Sequence, residues 1–141
     1  MQYTQFDKIY LLRMDRGEEI HSTLEAFCRQ HSITAGWLTG IGALMQAELG
    51  YFNRERKEYS WKVINTDHEL TSLAGNISIK DGEPWLHLHA TLSDDNFQVT
   101  AGHLKSGVIS ITGEIWIQRV EGMIERQLNP DFQSYFLSLH N

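Results

Sequence analysis

Cysteine and proline are nearly missing from this chain: 141 residues hold one of the first and two of the second. A lone Cys28 excludes an intrachain disulfide framework and any multi-cysteine zinc site, which leaves histidine and carboxylate as the ligand types for a metal. Its position on the apolar side of a helical pattern makes it a small buried hydrophobe. Long hydrophobic runs are missing too. No window reaches the roughly 18–20 uninterrupted apolar residues of a membrane span, and the start, MQYTQFDKIYLLRMD, lacks the basic-then-apolar order of a secretory signal. The cytoplasm is therefore the expected address. Positive charge is in short supply, with 12 Lys and Arg against 18 Asp and Glu and a formal net charge of −6. An acidic chain repels phosphate backbones unless its cations gather on one face, and here Arg54, Arg56 and Lys57 are interleaved with Glu55 and Glu58. No GxGxxG, GK[ST] or GxSxG occurs, so neither a phosphate loop nor a serine nucleophile elbow is signalled.

What is present fits a compact domain. Apolar residues make up 41% and charged residues 21%, and a chain of this length buries well over half of its unfolded surface around one core. We read residues 1–141 as one domain. Residues 6–14 mix aliphatic, aromatic and charged side chains and run into Asp15-Arg16-Gly17, a strand followed by a turn. Over residues 17–31 the apolar positions Ile20, Leu24, Phe27 and Cys28 recur at helical spacing, with Glu18 and Glu19 assigned to the first turn, where the helix dipole favours acids. Two extended segments, 35–39 and 46–52, flank Gly40-Ile41-Gly42-Ala43, whose paired glycines signal a tight bend or a close backbone approach. The alternating charges of residues 53–58 cap a hairpin, and strands come after it at 59–64, 69–79, 85–92, 97–104 and 108–120. Six or more strands with one early helix define the α+β class, a mostly antiparallel twisted sheet with one main helix.

Three of the seven histidines, His87, His89 and His103, fall within seventeen residues. Side chains at i and i+2 of a strand share a face, so His87 and His89 project into one small volume. Whether His103 joins them depends on the hairpin around Ser93-Asp94-Asp95-Asn96. A four-residue loop pairs His87 with Gly102 and turns His103 away. A three-residue loop over Asp94-Asp95-Asn96, with Asn96 left-handed, pairs His87 with His103, and a bulge at Ala101-Gly102 would also restore the face. Three imidazoles on adjacent strands suit facial coordination of Zn²⁺ or another divalent ion, with one position left open. Glu114, on the next strand, is a further ligand or an acceptor behind the ligands. His21 and His31 on the helix, His68 between Asp67 and Glu69, and His140 in a tail read as ordinary surface or helix-end residues. Asp94-Asp95 and Glu18-Glu19 are adjacent in sequence, point apart, and serve a turn and a helix start.

The order of the motifs Tyr10-Leu11-Leu12-Arg13, Thr39-Gly40-Ile41-Gly42-Ala43-Leu44, Glu69-Leu70-Thr71-Ser72-Leu73-Ala74-Gly75-Asn76-Ile77, His87-Leu88-His89-Ala90, Gly102-His103-Leu104 and Thr112-Gly113-Glu114-Ile115 closely resembles the stand-alone form of the plant and prokaryote conserved (PPC) domain. The resemblance covers about residues 8–129. It implies an α+β fold that assembles as a homotrimer, and bacterial members that bind metal through the HxH pair and the later histidine. In this sequence those are His87, His89 and His103, and zinc fits the open three-ligand set best. In plants the domain follows AT-hook segments, and prokaryotic relatives are described as candidate DNA-binding, transcription-associated proteins. This chain has no Arg-Gly-Arg-Pro hook and no basic arm, which argues against direct DNA contact. The implied function is a metal-binding trimeric module for a small ligand or a protein partner. The alternative is a metal-dependent enzyme acting on a small molecule, with Glu114 or Glu69 as proton acceptor.

Overall fold

The computed structural model describes residues 1–139; His140, placed above in a tail, lies outside the described residues. The elements run β1 (Gln2–Phe6), β2 (Ile9–Asp15), α1 (Ile20–Gln30), β3 (Gly36–Asn53), β4 (Glu58–Ile64), β5 (His68–Lys80), β6 (Glu83–Ser93), β7 (Val99–Arg119), β8 (Glu125–Asn129) and β9 (Ser134–Ser138). All strand pairs are antiparallel except a single parallel contact, Ile79 with Glu125, between β5 and β8. This is the expected class, one mostly antiparallel twisted sheet with one helix among the described residues. The pairings β3–β5, β5–β6, β6–β7 and β7–β3 close on themselves, so four strands form a circuit whose inner side carries the core. Leu73, Ile77, Leu88, Leu92, Leu104 and Ile109 have no accessible surface there. No helix among the described residues is long and apolar enough to cross a membrane.

Helix α1 covers the core with Ile20, Leu24, Phe27 and Cys28, the positions picked out by period 3.6. Burial pushes the Cys28 thiol up to about 12, so it packs and does not react. The start of the helix corrects the sequence reading: Glu19 is not in the first turn but caps it. Its carboxylate accepts from the amides of His21 (3.2 Å) and Ser22 (2.8 Å) and from the Ser22 hydroxyl (2.9 Å). It also accepts from the Gly107 amide of β7 at 3.3 Å, which ties the helix to the sheet. Burial raises the Glu19 carboxyl, but these donors outweigh it and hold the group below the usual range. We expect Glu19→Ala to cost about 1 kcal/mol, read as a drop of roughly 2–4 °C in the melting midpoint. Because the folded pKa is depressed, the charged cap contributes above the ordinary carboxylate range and its contribution fades as pH falls through the lower folded value. Wild type and variant should therefore converge in acid melts.

Four element boundaries differ from the sequence reading. Residues 6–14 are not one strand: Asp7, in the left-handed region (φ 55°), turns the chain between β1 and β2. β1 is exposed along its whole length and pairs only with β2, so no alternation marked it. Segments 35–39 and 46–52 belong to the single strand β3, which passes through Gly40 and Gly42 with register shifts and no bend. The close approach is real, since a Cβ on Gly40 would lie 2.8 Å from the Glu114 carbonyl oxygen. Segments 97–104 and 108–120 are likewise one strand, β7, whose register shifts against β3 are concentrated between Leu104 and Gly113. The hairpin β8–β9 carried no alternation, although Asn129-Pro130-Asp131 is a turn signal. There the Asn129 side chain accepts from the amides of Asp131 (3.0 Å) and Phe132 (3.2 Å).

Candidate metal centre

Strand β6 alternates without a break: Leu86, Leu88, Ala90 and Leu92 are buried, while Trp85, His87, His89, Thr91 and Ser93 face outward. The period of two that fills the core with leucine thus sets both imidazoles on the outer face. The hairpin to β7 pairs Ser93 with Val99 and His89 with His103. Its loop spans residues 94–98, two residues longer than the three-residue loop and one longer than the four-residue alternative. Asp94 organises it, its carboxylate accepting from the amides of Asn96 (2.9 Å) and Gln98 (2.8 Å). Phe97, not Asn96, takes the left-handed conformation (φ 60°). Lengthening the loop by two slides β7 by two residues, which keeps the face and changes the partner. His103 therefore lies opposite His89 and not His87, and no bulge at Ala101-Gly102 is needed.

The three imidazoles converge. Ring centroids are 5.1 Å apart for His87–His89 and for His87–His103, and 5.5 Å for His89–His103. One ring nitrogen from each lies within 4.8 Å of the others. His87 and His89 stand with their Nε2 atoms 3.3 Å apart. The His103 Nδ1 is buried and has no hydrogen-bond partner. An orphaned buried nitrogen beside two further imidazoles, with no carboxylate among them, is a donor set that a borderline divalent ion completes. Burial lowers the His103 pKa to about 4, and the neighbouring His87 and His89 add to the effect. Burial lowers His87 as well, with Arg126 and His89 contributing. The His87 and His103 rings are thus held in the neutral, metal-binding form.

The side chains that surround the cluster come from elements that sequence reading did not connect to it. Tyr59 and Trp61 of β4 stack on each other (4.8 Å, 19°) and lie 5.3 and 6.3 Å from the His103 ring. Arg126 of β8 reaches toward His87 from the other side. Its Nε donates to the Ser78 hydroxyl (2.8 Å), Nη2 to the Asn76 side-chain oxygen (2.8 Å) and Nη1 to the Tyr135 carbonyl (2.9 Å). Only the turn at Asn129-Pro130-Asp131 hinted that this segment folds back on the sheet.

Glu114 and Glu69 do not join the histidines. Glu114 lies eleven residues along β7 from His103, paired with Ile41 and Arg13. Glu69 pairs with Ser93, four residues beyond His89, which is roughly 13 Å along a strand. The two carboxylates instead line a separate cavity of about 460 Å³ with Ile41, Thr71 and Ile111. Strand β7, read as two shorter pieces, made Glu114 look nearer than it is. Within the chain neither carboxylate neighbours the imidazoles. His21 contacts the Leu104 carbonyl oxygen (2.9 Å), His31 packs on Phe27 (4.3 Å), and His68 contacts the Thr66 carbonyl oxygen (3.0 Å).

A helix-capped antiparallel sheet with an outward-facing cluster of three imidazoles defines the class, an α+β domain with an open histidine site. More particularly, the chain belongs to the Plants and Prokaryotes Conserved (PCC) domain family, whose profile matches residues 1–121. It is similar to the crystal structure of a Bacteroides thetaiotaomicron protein provisionally named DNA-binding, with 31% identity, a TM-score of 0.94 and coverage of 97% of this chain and 96% of that one. It is similar also to a metal-containing protein of Archaeoglobus fulgidus, with 32% identity, a TM-score of 0.88 and coverage of 99% and 100%. A Synechococcus protein named bifunctional protein GlmU is 34% identical over 136 residues, 94% of this chain. The chain spans about a fifth of the length of the curated relatives it matches.

Proposed function

We propose that this protein is a homotrimeric metal-binding module in which His87, His89 and His103 hold one divalent ion, zinc fitting best. The observation that carries this reading is the meeting of one ring nitrogen from each of the three histidines within 4.8 Å. The name of the Archaeoglobus relative, a metal-containing protein, supports it. A bound ion would act there as a Lewis acid with a position open to a ligand. Metal content of protein purified without chelator, wild type against His89→Ala, tests it. We expect about one ion per wild-type chain and less than a tenth of that in the variant. Equal content in both, or none in either, would sink the proposal.

The trimer is supported by the outer face of β2, β7 and β3. Facing positions on these strands place Ile9, Leu11, Trp37, Ile41 and Trp116 together, and Trp37, Ile41 and Trp116 are 52, 57 and 43% exposed. Phe6 stacks on Trp116 at 6.4 Å. An apolar patch of this kind on a chain of net charge −6 fits burial against further copies. Light scattering on a sizing column should give three chains for wild type and one for Trp116→Glu, and a monomeric wild type would remove this part. The single buried thiol suits a cytoplasmic address. In this reading direct DNA contact plays no part, because a net charge of −6 repels phosphate. An enzymatic role, the second reading, is favoured by one feature, a cavity of about 690 Å³ that has His87 in its wall.

A further inference from the structure

That cavity is walled by the β8–β9 hairpin, which lies beyond the residues matched by the family profile. Its aromatic lining comes from Phe52 and Tyr59 and, in the hairpin segment, from Tyr135 and from Phe132 and Phe136, stacked at 5.7 Å. Among the described residues its only charged side chains are cationic, Arg126 in the wall and Arg54 at the exposed rim, in a protein whose acids outnumber its bases. Arg126 makes no ion pair among the described residues. Three of its five N–H groups are spent on Ser78, Tyr135 and Asn76, all neutral acceptors. Two N–H groups, one on each terminal nitrogen, are left over on a half-buried guanidinium. A cation taken partly out of water with no anion beside it is costly unless an anionic partner arrives. Three anchoring bonds also fix the plane of the fork before any ligand binds, which cuts the ordering cost of recognition.

We propose that this cavity binds a small organic carboxylate with an aromatic or aliphatic body, and that Arg126 is its anion anchor. One guanidinium with two free N–H groups matches the two oxygens of a planar carboxylate. An apolar body accounts for the five aromatic rings of the lining, which inorganic phosphate would leave uncovered. The volume suits a small molecule, within the range of about 300–1,000 Å³ usual for such sites. The cavity lies beside the histidines, yet the anchor belongs to the protein and does not depend on the ion. Carboxylate binding can therefore stand or fall apart from the metal reading.

The test is a calorimetric or ligand-observed NMR titration of the full chain, with and without added zinc, using phenylacetate, the isosteric phenylacetamide, and inorganic phosphate. We expect phenylacetate to bind at least tenfold more tightly than phenylacetamide, with phosphate weaker than both, and the preference for the acid to persist in chelator. Arg126→Gln should abolish the preference. Because Arg126 also braces the β8–β9 hairpin, Arg126→Lys serves as a second variant: it keeps the charge and should retain only part of the discrimination. Phe132→Ala should weaken acid and amide alike. Equal affinity for acid and amide in wild type overturns the proposal, as does tighter binding of phosphate, or an unchanged preference in an Arg126→Gln protein of native circular dichroism. Acid binding in chelator with no zinc uptake would retain the anchor and remove the metal centre.

Discussion

Zinc at a free concentration a thousand times its dissociation constant is expected to raise the melting midpoint by roughly 8–16 °C, because ligation of the native state alone adds about 4 kcal/mol and each kcal/mol moves a domain of this size by about 2–4 °C. The site exists only when β6 and β7 are paired as His89 with His103, so the unfolded chain offers no equivalent set of ligands. The double substitution His87→Ala, His103→Ala should remove the whole shift while leaving the metal-free midpoint near that of wild type. His103 costs the metal-free protein something, since it holds a buried nitrogen without a partner. The effect of pH has a definite sign. Burial lowers His87 and takes His103 down to about 4, below the ordinary histidine value near 6.5. Folding therefore favours the neutral rings, and their contribution is present above pH ~6.5 and lost as pH falls toward about 4. Zinc needs the same neutral rings, so the zinc-induced shift should be full at neutral pH and vanish in acid. A zinc shift that survives the double substitution would place the ion elsewhere.

Leu88→Ala should destabilise the protein by about 2–5 kcal/mol, a fall of roughly 4–20 °C in the melting midpoint, and yet leave the metal content unchanged below that midpoint. Leu88 lies between the two histidines in sequence, is completely buried, and packs into the central core cluster. Its side chain points away from the site, because neighbours in a strand face opposite ways. Truncation opens a cavity inside the closed circuit of strands and does not touch the outer face. Thermal melts in chelator give the stability change, and metal analysis of the folded variant at 20 °C gives the occupancy. Loss of metal from a variant with native circular dichroism would mean that the imidazoles are held by inner packing, contrary to the alternation seen along β6.

The histidine cluster shows where sequence reading succeeds. Two imidazoles at i and i+2 within Trp85-Leu86-His87-Leu88-His89 share a face for any strand whatever its partners, and the leucines between them settle which face is buried. His103 was a matter of parity: loops differing by two residues return the same face, so the observed five-residue loop brought the ring to the cluster although the partner changed from His87 to His89. The loop itself could not be read, since Asp94, Asp95 and Asn96 are all turn formers and the left-handed residue proved to be Phe97. Glu114 stands apart from the histidines for a different reason. Strands β3 and β7 run 18 and 21 residues, and the local signals at Gly40-Ile41-Gly42 and Lys105-Ser106-Gly107 mark register shifts that look like strand ends.

By itself the sequence determined whatever depends on covalent neighbours and local period: the class, the helix face of Ile20, Leu24, Phe27 and Cys28, the common side of His87 and His89, and the exclusion of thiolate ligands. Only the tertiary structure decided what requires distant segments to meet. It set His103 opposite His89, stacked Tyr59 and Trp61 near that ring, and swung Arg126 across from a hairpin without alternation to face the cavity beside His87. The physical reason is that side-chain direction is fixed by the backbone of a few residues, whereas proximity depends on loop lengths and strand registers, which one residue more or less can change.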